Sequence, residues 1–162
     1  MPTFNIGDKA VYPAQGVAVF TGVESKEIMG TKQTFHVLQV LDSKKKIMIP
    51  VNKLDSVGLR KVIDDGEVDQ VYEILRARDV KLNDQIWLRR YQSYTEKINT
   101  GSIHEVAEVM RDLILRKNEK PLSFGEQKML DQARRLLIQE LAVAREVERD
   151  DIEEEINQIF AN

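Results

Sequence analysis

Cysteine is absent from the 162-residue sequence, which excludes disulfides and thiolate-bound metal. Only two histidines occur, His36 and His104, and neither has a partner at the helical i+4 spacing of a histidine metal pair. No glycine-rich loop is placed to cradle a phosphate, and no nucleophile motif is present. The carboxylates are plentiful but fall on expected solvent faces of helices, where charge is the default. No metal, no cofactor and no enzymatic activity are expected. No apolar run is long enough to cross a bilayer, and the start, Met1-Pro2-Thr3-Phe4-Asn5, lacks the basic and apolar segments of a secretory signal. A reducing cytoplasm is the simplest expectation.

Bulk positive charge is missing too. The net charge of −3 does not suit a protein that coats nucleic acid. Its distribution is uneven. Residues 1–62 carry nine Lys/Arg against five Asp/Glu, residues 81–120 carry eight against six, and residues 121–162 carry five against ten. Any contact with nucleic acid must therefore use a local patch.

The first third is rich in β-branched and aromatic residues and predicts short strands: Ala10–Pro13, Gly16–Val23, Thr34–Val40 and Lys46–Val51, with turns at Met29-Gly30-Thr31 and Asp42–Lys45. In the third strand Phe35, Val37 and Gln39 share a face. Ile47-Met48-Ile49-Pro50-Val51 is apolar at every position. It suits a strand buried on both faces or an edge that a partner strand extends, and Pro50, which cannot donate to a ladder, favours the edge. Val57–Val62 closes the sheet or leads out of it. Four or five short strands in about 60 residues imply a small, strongly bent sheet or barrel.

Beyond residue 63 the periodicity turns helical. Asp64 with Glu67 predicts a capped helix to about Arg78, with Val68, Val71, Tyr72 and Leu75 inward. Asn83 is the expected cap of a second helix, closed by Gly101. Ser102 with Glu105 and Ser123 with Glu126 predict capping boxes for a third and a fourth helix, and Asp150 with Glu153 opens a fifth. The fold class is α+β in two domains, 1–62 and 63–162: a small bent β module, then a compact all-α module of about five helices.

Trp87, the only tryptophan, is followed by Arg89 and Arg90. It admits two readings. Trp87, Tyr91, Tyr94 and Ile98 lie on one helical stripe, which suits a core position. With Ile86 and Leu88 it also forms an apolar knob beside basic residues, which suits a wedge entering an unstacked base step while the arginines hold phosphates. Lys44-Lys45-Lys46 reads as a solvated turn.

At these residues the chain resembles the CarD/CdnL family of bacterial RNA polymerase-binding regulators. The collinear set comprises Gly7-Asp8, Val11-Tyr12-Pro13, Gly16, Met48-Ile49-Pro50, Val57-Gly58-Leu59-Arg60, Trp87, Arg89-Arg90-Tyr91, Ala107-Glu108-Val109, Arg111-Asp112-Leu113, Leu122-Ser123, Gly125-Glu126, Met129-Leu130 and Ala133-Arg134. The resemblance, nearest to the CdnL branch, implies a Tudor-like β domain that binds the polymerase β subunit and a helical domain at the upstream edge of the transcription bubble. It implies that Met48 and Pro50 touch the β subunit, with Lys26 where some relatives carry arginine. It implies that Trp87 is the wedge and Arg89 and Arg90 the adjacent basic pair. Gln92 departs from a lysine found in some relatives. The resemblance also implies a monomer at the nucleoid through polymerase, whose role is to stabilise the open promoter complex, while the acidic C-terminal helix speaks against a tight grip on free DNA. A helical protein–protein adaptor without a DNA role is the competing reading, with Trp87 in the core.

Overall fold

The computed structural model describes residues 4–82 and 84–161. The chain divides between Val62 and Ile63 into two compact units.

The first unit is a five-stranded antiparallel sheet in the order β4-β3-β2-β1-β5, the small bent sheet implied for a Tudor-like domain. Its strands are β1 (Lys9–Tyr12), β2 (Gly16–Ile28), β3 (Thr31–Val40), β4 (Lys46–Pro50) and β5 (Arg60–Lys61). β2 and β3 run further than the β-branched composition alone indicated. Their outer halves, Ser25–Ile28 and Thr31–Thr34, are polar and largely exposed, so they carry no burial signal. A two-residue turn joins them: Met29 (φ 52°) and Gly30 (φ 79°) both take positive φ, which matches the twist of a hairpin. The pairing of β2 with β3 shifts between Phe20 and Gly22, and such a bulge bends a strand.

Alternation then sorts the side chains. Ala10, Ala18, Phe20, Leu38 and Ile49 form the core with Leu54 and Leu59, and Ile47 packs against it. In β3 the inward parity is that of His36 and Leu38; Phe35, Val37 and Gln39 share the other face.

The second unit holds α1 (Asp65–Arg76), α2 (Trp87–Asn99), α3 (Ile103–Glu119), α4 (Phe124–Arg145) and α5 (Arg149–Phe160). α3 packs on α1, α2 and α4, while α5 lies against α1 and α4. Leu75, Val109, Met110, Leu113, Leu137, Leu141, Ile152 and Ile156 are fully enclosed. α1 buries Val68, Val71, Tyr72 and Leu75, as the periodicity predicts.

Two of the expected caps form and two do not. Asp64 with Glu67 and Ser123 with Glu126 are complete capping boxes. Ser102 precedes α3 without a side-chain cap bond, and its N–H donates to Thr100 Oγ1 at 3.2 Å rather than to Glu105. α5 starts two residues early, after Glu148, and Glu153 is drawn to Arg134 at 3.2 Å instead of closing a box with Asp150. Asn83 lies outside the described residues. α2 begins at Trp87 after Ile86, which supplies no side-chain cap bond.

Candidate functional site

In the first unit the sheet register decides which side chains a partner would meet. β4 is an edge strand, so the apolar Ile47–Pro50 run has one open side. Within it Ile49 points into the core, and Met48 and Pro50 therefore point the other way. Met48 stands opposite Val37, Pro50 opposite Phe35, and Phe35 opposite Glu24. Lys26 pairs with Gln33, one row nearer the hairpin tip on the same face. The register thus brings Lys26, Met48 and Pro50 onto one outer face. The Lys46–Glu24 ion pair, 2.9 Å across exposed side chains, reaches over that face from β4 to β2. Beyond the end of β4 a hollow of about 410 Å³ opens, lined by Lys32, Gln33, Thr34 and Pro50–Lys53. Phe35, half-buried between Glu24 and Pro50, belongs to this face too. The signal was its parity with Val37.

In the second unit the stripe through α2 splits. Tyr94 and Ile98 are buried, as a core reading requires. Trp87 is half-buried, and Ile86 (69% exposed), Leu88 (66%) and Tyr91 (44%) stand in solvent around it. The indole is seated rather than loose. A Cβ placed on Gly125, in the first turn of α4, would lie 3.2 Å from its Cζ2. The Tyr91 ring meets it edge-on at 5.5 Å between centroids, and the Arg90 guanidinium covers it at 5.3 Å.

The two arginines expected to flank Trp87 as phosphate ligands part company. Arg89 is exposed and has no ion-pair partner among the described residues. Arg90 is mostly buried and already engaged. It donates to the Gln85 carbonyl at 2.7 Å and to Glu126 Oε2 at 3.0 Å. A guanidinium with both forks held inside the protein is poorly placed to take a phosphate. Burial pushes the Glu126 carboxyl up, but the Ser123 backbone and side chain and the Arg90 charge outweigh it and hold it below its ordinary value. Phe124, the first residue of α4 and 80% exposed, with Lys128 Nζ 5.5 Å over its ring, adds an aromatic residue next to the Gly125 seat. The capping signal of Ser123 and Glu126 carries no sign of this exposed ring.

The histidines serve packing and surface contacts. His36 lies tilted against Phe20 at 5.4 Å, and His104 Nε2 meets Gln70 Oε1 at 2.9 Å. Among the described residues no group of three His, Cys, Asp or Glu could hold a metal, and no helix is long and apolar enough to cross a membrane.

Comparison with known proteins gives both units the same assignment. Residues 4–63 match the family model of the CarD-like/TRCF RID domain, and residues 70–157 match that of CarD, C-terminal domain. Over 142 residues the chain is 39% identical to YdeB, a candidate transcription factor of Bacillus subtilis (strain 168), spanning 86% of this chain and 91% of that one. Two solved structures from Myxococcus xanthus are similar to the first unit. CdnLNt is 49% identical, covering 40% of this chain and 92% of that chain with a TM-score of 0.35. The 72-residue N-terminal domain of CarD, solved by solution NMR, is 34% identical, covering 36% and 79% with a TM-score of 0.31.

Proposed function

We propose that this chain, which belongs to the CarD family and is by class a transcription factor, grips the RNA polymerase β subunit with its sheet and steadies the open promoter complex with its helical unit. The face holding Lys26, Met48 and Pro50 is the polymerase contact. Met48 supplies an adaptable apolar surface, Lys26 a charge, and the free edge of β4 a ladder to which a partner strand can be added. The helical unit contributes Trp87 as a wedge at the upstream edge of the bubble and Arg89 as a phosphate contact.

The observation that carries the DNA half is the exposed apolar collar of Ile86, Leu88 and Tyr91 around a half-buried Trp87. An indole that served only the core would not need a solvent-facing apolar collar on the same turn. The mechanism is thermodynamic. A protein that prefers the open complex to the closed one shifts their ratio by its differential affinity, and about 1.4 kcal/mol of preference changes that ratio tenfold. Free DNA is bound weakly, since the chain is net negative and α5 is acidic, so attachment to polymerase supplies the effective concentration. No covalent step is involved.

The test is the lifetime of open complexes formed by purified polymerase with the wild-type chain or Trp87→Ala, alongside denaturant melts of both proteins. A shortened lifetime with a near-normal melt is expected. A severe melt defect returns Trp87 to the core and leaves the adaptor reading in possession.

A further inference from the structure

The proposed function leaves the Arg90–Glu126 pair without a role, yet its guanidinium lies over the indole. Its parts come from two helices. Arg90 is in the first turn of α2, one residue beyond Arg89 and three beyond Trp87. Glu126 is the third residue of α4, and its carboxylate serves two purposes. Oε1 accepts from the Ser123 N–H at 3.1 Å and completes the α4 capping box. Oε2 accepts from Arg90 at 3.0 Å. Both side chains are close to nine-tenths buried, 13% and 12% exposed, so solvent screens this pair far less than an exposed one such as Arg134–Glu153 at 27% and 49%. The cap fixes Glu126 to the α4 backbone, Glu126 fixes the guanidinium plane, and that plane covers one face of the indole. Gly125 closes the seat on the indole's six-membered ring, where a β-carbon would already crowd it.

We propose that Glu126 is a positioning residue for Trp87, acting through Arg90, which holds the indole in one orientation and is not itself a phosphate ligand. An exposed aromatic free to rotate would lose rotamer entropy on inserting between bases; one already clamped loses less, and more of its contact energy appears as binding. The inference rests on the wedge reading of Trp87 for its functional consequence, but the clamp itself is measurable in the free protein.

The experiment uses the full chain and its single tryptophan. Glu126→Gln keeps an amide oxygen to accept from Ser123 and removes the charge that orients Arg90. Arg90→Lys keeps the positive charge, which a phosphate contact would tolerate, and removes the planar fork and the stacking surface. Time-resolved fluorescence anisotropy of Trp87 reads local indole motion, and thermal melts report folding. Both variants are expected to show a larger fast-motion amplitude, and open-complex lifetimes shortened by about threefold to tenfold, the scale of one lost hydrogen bond. Should Glu126→Gln fold poorly, Arg90→Lys decides alone. Unchanged anisotropy in the folded variants overturns the clamp. Arg90→Lys with wild-type anisotropy and lifetime overturns it as well. Increased indole motion with an unchanged lifetime upholds the clamp and instead removes the wedge role proposed for Trp87.

Discussion

The Tyr72 hydroxyl donates to Glu155 Oε2 at 2.6 Å, tying α1 to α5 across 83 residues of sequence. Arg145, from the last turn of α4, reaches both groups, 3.2 Å from the Tyr72 oxygen and 2.5 Å from the Glu155 carboxylate. Arg76 and Arg145 also lie over the Tyr72 ring at 5.5 and 5.9 Å. Three helices thus meet at one knot, which borders a hollow of about 560 Å³.

The knot sets a pH window for α5. The Tyr72 hydrogen bond, joined by Arg145 and outweighing burial, holds the Glu155 carboxyl below its ordinary value of 4.5. Its contribution is therefore present above about pH 4.5 and is lost as pH falls through the lowered value. Tyr72 moves the other way: burial, with the Glu155 bond, pushes its hydroxyl from 10.0 up to about 12. That contribution is complete below pH 10 and is lost as pH rises toward about 12. Stability measured by denaturant melts should fall at both extremes, and Glu155→Gln should flatten the acid limb. An acid limb equally steep in Glu155→Gln would remove Glu155 from the linkage.

Parity along β4 gives a second prediction. Ile49→Ala, at a core position 2% exposed, should cost the sheet unit about 2–5 kcal/mol. Met48→Ala, one residue away on the opposite face, should cost about 1 kcal/mol or less and weaken binding to the polymerase β subunit. Denaturant melts and β-subunit affinity, measured on both variants, separate the faces. Equal affinity for wild type and a well-folded Met48→Ala would end the assignment of this face.

The arginines beside Trp87 should differ in their salt response. Arg89→Ala removes the phosphate contact proposed for this residue, so the slope of log affinity against log salt for polymerase-dependent promoter binding should shrink by about one unit. Arg90→Ala should leave that slope unchanged, because its charge is already paired with Glu126. A slope that falls equally in both would restore Arg90 as a phosphate ligand.

Trp87→Ala should fall short of the ~3–5 kcal/mol lost when a fully buried tryptophan is truncated, since the indole is only half-buried. Tyr94→Ala, on the same helix at 1% exposure, should reach that range. Chemical denaturation of both variants makes the comparison within one helix.

Glu140 is 1% exposed on α4 and accepts from the backbone N–H of Ile63 at 3.0 Å, where the chain enters the helical unit. Glu140→Leu would leave that buried N–H without this acceptor, at a cost of about 1–3 kcal/mol. Glu140→Gln keeps an acceptor oxygen and should cost less. Melting both variants checks the order, and equal losses would show that the Ile63 bond does not matter.

Most of the architecture was legible because burial leaves a period. Val68, Val71, Tyr72 and Leu75 announced α1, and the Asp64 and Ser123 boxes announced two helix starts. Signals that rest on one polar residue choosing among partners were weaker. Ser102 and Glu153 had the right spacing for capping, but Thr100 and Arg134 captured the relevant bonds. The sheet's outer face was half legible. Alternation grouped Phe35 with Val37, yet only the register of β3 with β4 brings Phe35 beside Pro50. The distinction between Arg89 and Arg90 was not legible at all. It depends on Glu126, 36 residues further along, and no local pattern links the two.

Pro50 and Lys46 bracket the open edge of β4, with Ile47, Met48 and Ile49 between them. An unprotected apolar edge would template pairing with another copy of the same strand and lead toward aggregation. At one end Pro50 has no N–H to offer such a copy, and at the other an in-register parallel copy would set the two Lys46 side chains next to each other. The proline that leaves this edge open to the proposed foreign strand thus also discourages the strand from pairing with a second copy of itself.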